Sequence, residues 1–118
     1  MNIETLREYC LSKKGATECF PFDDVTLVFK VCDKMFALTG LDQELSINLK
    51  CNPEKAIELR EKYSFVIPGY HMNKTYWNTI LIDNSVPDHL IHEWIDDSYN
   101  EEVNKLPKTI IQKLNNQK

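Results

Sequence analysis

The sequence is poor in glycine and in long apolar runs, and each shortage excludes a class of protein. Its three glycines are too few for a G-x-G-x-x-G motif or a P-loop, so no phosphate-cradling loop is expected. No apolar run approaches the ~18 residues of a membrane-spanning helix. The N-terminus lacks a basic patch followed by an apolar stretch, so no signal peptide is expected. We therefore predict a cytoplasmic protein with no membrane partner.

Closely paired cysteines are also absent, which argues against a metal centre. The four cysteines are Cys10, Cys19, Cys32 and Cys51, and no two of them form a Cys-x-x-Cys motif. Because metal sites use closely spaced ligands, we predict neither a metal nor another cofactor. The thiols are expected to be reduced, partly buried and packed as small hydrophobic side chains.

Basic charge is in short supply over the chain as a whole. The net charge is −4, which weighs against a broad electrostatic attraction to nucleic acid. The charge is unevenly spread, however, because residues 83–102 contain seven acidic residues and no Lys or Arg. Residues 25–74 contain seven basic and six acidic residues, so a local basic face remains open there.

The length and composition fit one compact globular domain. The chain has 118 residues, of which 42% are hydrophobic and 27% charged, and it has no internal repeat or linker. We predict a single domain over residues 1–118, in which the polar residues 115–118 form a frayed tail. No oligomeric state is predicted.

Hydrophobic periodicity predicts the helices. Apolar residues recur at helical spacing after Asn2, a predicted N-cap, and again after Asn52, where Pro53 takes the first helical position. A third helix is predicted to begin at Pro87 and Asp88. Residues 109–114 are expected to add a final turn or two.

Period-two alternation predicts the strands, and residues 16–24 between the first helix and the first strand are predicted to form a loop. The predicted strands are residues 26–31, 35–39, 45–50, 65–67 and 79–82. The first three are expected to form an antiparallel meander. The whole is therefore an α+β fold, with an antiparallel sheet of about five strands and helices packed on one face.

The most unusual segment follows the Pro68-Gly69 break. Residues 69–78 contain three aromatic side chains, two Asn, one His and one Lys. Side chains with a flat apolar body and a hydrogen-bonding edge suit the recognition of a base, a ring or a partner's backbone. The alternative is structural: Tyr70 and Trp77 would anchor a long loop while Asn73 and Asn78 satisfy its backbone.

A second constellation lies on the predicted meander. Lys30, Asn48 and Lys50 alternate with apolar residues and are placed on the outward face of their strands, with Lys34 at the hairpin turn. They are expected to form one basic, hydrogen-bonding face. A sheet face that is polar only because it contacts water explains the same pattern and stays open.

Catalysis finds little support in the sequence, and we predict a protein that is not an enzyme. His89 and His92 fall in the first turns of an acidic helix, where surface positions are expected. His71 is better placed but has no neighbouring acid in the sequence to orient it. An enzyme that uses His71 and Lys74 would need a carboxylate or hydroxyl within hydrogen-bonding reach in the fold.

Several blocks spread along nearly the whole chain resemble the MmcQ/YjbR family of small bacterial proteins. The blocks are residues 29–31, 34–38, 49–54, 68–74, 77–78, 97–99, 103 and 106–108, in the family's order. The resemblance implies a frataxin-like (CyaY-like) α+β architecture. It also implies a DNA-binding protein, similar to a "double wing" phage domain whose sheet and hairpins face the duplex.

Two functions follow from the resemblance and the residues together. The first is DNA binding, in which lysines contact phosphates and Asn and Tyr side chains approach bases or sugars. The residues predicted to bind nucleic acid are Lys30, Lys34, Asn48, Lys50, Asn73, Lys74, Tyr76 and Asn78. The alternative is a module for a small ligand or a protein partner, with a pocket lined by Tyr70, His71 and Trp77.

Overall fold

The structure is a computed structural model that describes residues 1–69 and 72–116. Within these residues the chain forms four helices and one six-stranded sheet. The helices are α1 (Ile3–Leu11), α2 (Pro53–Lys62), α3 (Asp88–Val103) and α4 (Lys108–Asn115). The strands are β1 (Ala16–Cys19), β2 (Thr26–Val31), β3 (Lys34–Gly40), β4 (Ser46–Lys50), β5 (Val66–Pro68) and β6 (Trp77–Leu81). The α+β class of a single domain is confirmed.

The sheet is antiparallel throughout and has the strand order β1-β2-β3-β4-β6-β5. The predicted meander corresponds to β2, β3 and β4. The sixth strand, β1, lies in the segment that we predicted to be a loop. Its apolar content is too low to give a strand signal, and it is held as an edge strand by its pairing with β2, in which Glu18 lies opposite Phe29.

A bulge in the β2–β3 hairpin shapes the core. Phe29 pairs with Ala37 and Lys30 pairs with Met35, so Phe36 is an extra residue on β3. Phe36 and Ala37 are therefore both fully buried in the core, although they are adjacent in sequence. Cys32 forms part of the hairpin turn, where its positive φ of 48° suits the tight two-residue connection.

The core lies between one face of the sheet and the helices. Leu27, Phe29 and Val31 of β2 point into it as the alternation predicts, and Ile91 and Ile95 of α3 meet them from the helical side. Leu114 of α4 is 3% exposed and belongs to the same cluster.

The opposite face of the sheet is less exposed to solvent than we predicted. Val28 and Leu38 on this face are 0% and 5% exposed, so its centre is not a wet polar surface. Leu38 borders a groove that Phe22 and Met72 also line. The period-two pattern predicts which face a residue lies on, but it does not predict what else packs there.

The helix termini follow the sequence signals closely. Asn2 caps α1 in a reciprocal pair of hydrogen bonds with Thr5, and the Asn52 side chain accepts a hydrogen bond from the Glu54 amide at the start of α2. At the other end of the chain, α4 ends at Asn115, whose carbonyl accepts a hydrogen bond from Lys14. Residues 117–118 of the predicted tail lie outside the described residues. None of the described helices is long and apolar enough to cross a membrane.

Candidate functional site

The predicted nucleic-acid residues gather at one end of the sheet. Lys30 pairs with Met35 across the β2–β3 hairpin, and Lys50 pairs with Trp77 at the end of β4. Lys34 begins β3 beside the same hairpin turn. Because neighbouring strands lie ~4.8 Å apart, the path from β2 to β6 crosses about 14 Å at this end of the sheet.

The loop that precedes β6 is tied to the same end. The Cys51 amide donates a hydrogen bond to the Tyr76 carbonyl at 2.8 Å, and the Tyr76 side chain is 44% exposed. The Asn73 Oδ1 accepts a hydrogen bond from the Thr75 amide, and the Asn73 carbonyl accepts one from the Trp77 amide. Asn73 therefore satisfies loop backbone, which is the structural role that the sequence left open. Tyr70 and His71 lie outside the described residues.

Trp77, which we predicted as a pocket wall, is almost completely buried at 5% exposure. Gly69 explains part of this close packing, because its amide donates to the Trp77 carbonyl at 3.0 Å. A Cβ on Gly69 would lie 3.0 Å from that carbonyl oxygen and from the Trp77 Cβ. Glycine is therefore required here by a close approach of two backbones.

Lys50 does not extend from the outward face as predicted. Its Nζ lies 2.8 Å from Oε1 of Glu102 on α3, and it also lies 5.8 Å from the centre of the Trp77 ring. Lys105 contacts the same carboxylate oxygen at 3.2 Å. Burial acts to raise the pKa of Glu102, but the hydrogen bonds and charges of Lys50 and Lys105 outweigh it and hold the pKa below its usual value. A phosphate at Lys50 would have to compete with this carboxylate.

The side-chain amides of Asn48 on β4 and Asn78 on β6 also lie inside the fold. Asn48 is 8% exposed, and its Oδ1 accepts a hydrogen bond from the Thr79 hydroxyl at 2.5 Å. Asn78 is 2% exposed, and its Nδ2 donates to the Ala56 carbonyl of α2 at 3.1 Å. Both amides are occupied inside the fold, so in this structure neither is within reach of a base.

The remaining predicted residues form a surface that we call the basic rim. It is defined by Lys30 and Lys34, which are half-buried, and by Asn73, Lys74 and Tyr76, which are exposed. Among the described residues, neither Lys30 nor Lys34 lies in an ion pair. Lys74 is exposed in the loop before β6. The rim therefore offers cations and one exposed phenol at the same end of the sheet.

One histidine differs from the expectation of a plain surface residue. The His92 ring stacks on Tyr9 of α1, with ring centres 3.9 Å apart and planes 9° from parallel. The Tyr9 hydroxyl donates to Asp96 at 2.7 Å. This cluster joins α1 to α3. In the described part of the chain, no three His, Cys, Asp or Glu side chains form a group that could hold a metal ion.

A second concave feature, which the sequence reasoning missed, lies where α2 begins beside the second half of α3. We call it the α2–α3 cleft. Its volume is about 270 Å³, and it is lined by Cys51, Asn52, Lys55, Asp97, Asn100, Glu101 and Asn104. Lys55 and Asp97 form an ion pair of 3.3 Å across it. Burial raises the pKa of the Cys51 thiol to about 11.

The cleft collects three of the blocks that carry the family resemblance. Cys51 and Asn52 come from the first block, Asn78 behind the cleft from the second, and Asp97 from the third. These blocks lie about twenty residues apart in the sequence, so only the folded chain brings them together. Their spacing in the sequence gave no signal of a common site.

Comparisons with known proteins agree with the fold. The family model YjbR matches residues 11–101. Uncharacterized protein YjbR of Escherichia coli (strain K12) is 38% identical over 109 residues, which cover 92% of each chain. Uncharacterized protein YbdF of Escherichia coli O157:H7 is 34% identical over 106 residues, covering 89% of this chain and 87% of that protein.

Solved structures are similar over most of the chain. The crystal structure of Deinococcus radiodurans protein DR2400, with a domain of the family DUF419, has a TM-score of 0.89 and 39% identity, and the match covers 97% of this chain and 88% of that one. A protein from Pseudomonas syringae has a TM-score of 0.74 and 29% identity, with 86% and 98% covered. The arrangement of helices and sheet described above is therefore shared by these proteins.

Proposed function

Since this chain belongs to the YjbR family, we propose that it has the function that the resemblance implies, binding DNA in the cytoplasm without acting as an enzyme. The contact surface is the basic rim. The observation that carries the proposal is the position of Lys30 and Lys34 on one hairpin, at the same end of the sheet as the start of β6, which follows the loop that carries Lys74 and Tyr76.

The basic rim has the chemical groups that a surface needs in order to contact the DNA backbone. Lysines neutralise phosphates and supply most of the affinity, independently of sequence. The exposed ring of Tyr76 is available to stack on a base or to contact a sugar. At about 14 Å across, the rim would cover roughly four base pairs of B-DNA at ~3.4 Å per pair.

The unfavourable net charge is moderated by where the acids lie. Much of the negative charge belongs to α3, which packs against the other face of the sheet from that of the outward residues. Exposed charges farther apart than about 8–10 Å are largely screened at moderate ionic strength. Where α3 reaches this end of the sheet, the carboxylate of Glu102 is already neutralised by Lys50 and Lys105.

The non-enzymatic part of the proposal is supported by the state of the buried thiols. Burial raises the pKa of Cys10 to about 12 and that of Cys51 to about 11. Both thiols are therefore protonated near neutral pH, and the thiol form is a poor nucleophile.

The test is a salt titration of binding to a pool of short duplexes, followed by fluorescence anisotropy. The logarithm of the binding constant should fall linearly with the logarithm of salt concentration, with a slope of about −0.9 for each phosphate neutralised. The double variant Lys30→Met, Lys34→Met should weaken binding and flatten the slope by about 2.

The matched control is Lys108→Met, Lys113→Met, which removes the same charge from exposed positions on α4. It should leave the slope nearly unchanged. Absence of salt-sensitive binding at low ionic strength would overturn the proposal. So would an equal loss in both double variants, because the effect would then come from net charge alone.

A further inference from the structure

An unsatisfied amide lies behind the α2–α3 cleft. The Nδ2 of Asn78 donates to the Ala56 carbonyl, which fixes the orientation of the amide and leaves its Oδ1 as the free acceptor. Among residues 1–69 and 72–116 this oxygen is buried and has no hydrogen-bond partner. A buried acceptor without a donor is unfavourable, so native proteins leave few of them without a partner, a water or a ligand.

The amide borders a small cavity. Its volume is about 10 Å³, which is the space of one water molecule or one hydroxyl group. Asn78 is one of the residues that line this cavity. Since its Nδ2 is held by the Ala56 carbonyl, the Oδ1 is the atom of its amide that is left to accept a hydrogen bond. The other walls are mostly apolar, formed by Leu49, Leu59, Ile80 and Trp94.

The cavity adjoins the α2–α3 cleft. Cys51, Lys55 and Asp97 line both the inner cavity and the outer cleft, so they form the boundary between the two. The Lys55 and Asp97 side chains are 44% and 39% exposed. An ion pair this exposed is weak, so each partner can exchange the other for a ligand group of opposite charge.

Lys55, Asp97 and the Asn78 oxygen together indicate which chemical groups a ligand of this site must carry. Lys55 suits a carboxylate, and Asp97 suits an ammonium group. The Asn78 oxygen requires a donor, which should be neutral because the other walls of the inner cavity are mostly apolar and burying a charge there is costly. We infer that the α2–α3 cleft binds a small zwitterion with a neutral hydrogen-bond donor, and that hydroxyl-bearing α-amino acids are the matching class.

The dimensions agree with a ligand of this size. Pockets for drug-sized molecules usually measure about 300–1,000 Å³. The outer cleft, at about 270 Å³, lies just below that range and suits the main-chain part of an amino acid. The inner cavity accommodates only the hydroxyl group. This site is separate from the basic rim, so the inference does not depend on DNA binding.

The experiment titrates the protein with L-serine, L-threonine, L-alanine and glycerol, followed by ¹H–¹⁵N correlation spectra. L-alanine has the charges of L-serine without its hydroxyl, and glycerol has hydroxyls without charges. L-serine or L-threonine should saturate the shifts of the Cys51, Asn78 and Asp97 amides. L-alanine should bind at least tenfold more weakly, and glycerol should not saturate.

Variants separate the parts of the site. Asp97→Asn and Lys55→Met should each weaken L-serine binding at least tenfold, while Lys34→Met on the basic rim should leave it unchanged. Asn78→Leu should abolish the preference for L-serine over L-alanine. If a thermal melt shows that Asn78→Leu does not fold, the two variants of the cleft decide the outcome.

Two results would overturn the inference. The first is that no probe saturates these amides, in which case the Asn78 oxygen is satisfied by a trapped water only. The second is equal affinity for L-serine and L-alanine, which would mean that the buried acceptor is not used. The Lys30→Met, Lys34→Met variant should lose DNA binding and keep L-serine binding. This result would show that the basic rim and the α2–α3 cleft act independently.

Discussion

The ammonium group of Lys50 at the end of β4 lies 2.8 Å from the carboxylate of Glu102, which is only 3% exposed on α3. Lys105, one turn further along the chain, reaches the same oxygen at 3.2 Å. Two cations therefore neutralise one buried anion where the sheet meets the C-terminal half of α3. Removing the carboxylate costs charge-assisted hydrogen bonds, whereas both lysines retain access to water.

Glu102→Gln should lower the free energy of unfolding at pH 7 by about 1.5–3 kcal/mol, the usual contribution of a hydrogen bond to a charged group. The effect should depend on pH, because the pKa of Glu102 is lowered in the folded protein from its usual 4.5. A lowered carboxyl pKa stabilises the fold above the unfolded-state pKa, and this contribution is lost as the pH falls through the folded-state pKa. Urea unfolding at pH 7 and at decreasing pH below 4.5 measures both effects.

The difference between wild type and Glu102→Gln should therefore shrink toward acid pH. The matched control is Glu93→Gln at an exposed position of the same helix, which should change the unfolding free energy by less than about 0.5 kcal/mol. A pH-independent difference between wild type and Glu102→Gln would show that the charge of this carboxylate does not stabilise the fold.

Ser98 makes a second connection between α3 and the sheet. Its hydroxyl donates to the Phe36 carbonyl at 2.5 Å and accepts from the Lys50 amide at 2.9 Å. In the β3–β4 pairing, Ala37 lies opposite Leu49 and Leu38 lies opposite Asn48. At the next position, the Ser98 hydroxyl bridges the Lys50 amide and the Phe36 carbonyl in place of a direct hydrogen bond between the two strands.

Ser98→Ala should lower the unfolding free energy by about 1–3 kcal/mol, since the Lys50 amide and the Phe36 carbonyl would both lose a buried partner. The Lys50 amide should also exchange with deuterium faster than in wild type. Ser64→Ala, at an exposed position, is the control and should have little effect on either measurement. Unchanged exchange at Lys50 would mean that the strands close up and bond directly.

The fold was largely predictable because its signals are local. Asn2 and Asn52 cap α1 and α2 as their sequence contexts predict, and the alternation in β2 identifies the core face correctly. Strand β1 was missed because it is an edge strand that depends on pairing with β2 rather than on its own apolar pattern. The periodicity of an isolated segment carries no information about such a partner.

The candidate sites were less predictable because polar residue types do not reveal their partners. Asn78 looked like a side chain for reading bases, yet it bonds the backbone of α2, twenty-two residues away. Lys50 looked outward on β4, yet it bonds Glu102 on α3. The pairing of Lys55 with Asp97 spans forty-two residues and has no sequence signature at all. These are tertiary relationships, and they decide which polar groups remain available.

Thiol reactivity offers a direct check on the α2–α3 cleft. Cys32 is exposed in the hairpin turn, whereas Cys51 is partly buried with a pKa raised to about 11. Only the thiolate reacts readily, and at pH 8 a pKa of about 11 leaves roughly one Cys51 molecule in a thousand as thiolate. Maleimide labelling followed by peptide mass spectrometry should therefore modify Cys32 rapidly and Cys51 far more slowly. Cys32→Ser should remove the fast phase, and equal rates at the two positions would mean that Cys51 is neither buried nor protonated as the structure has it.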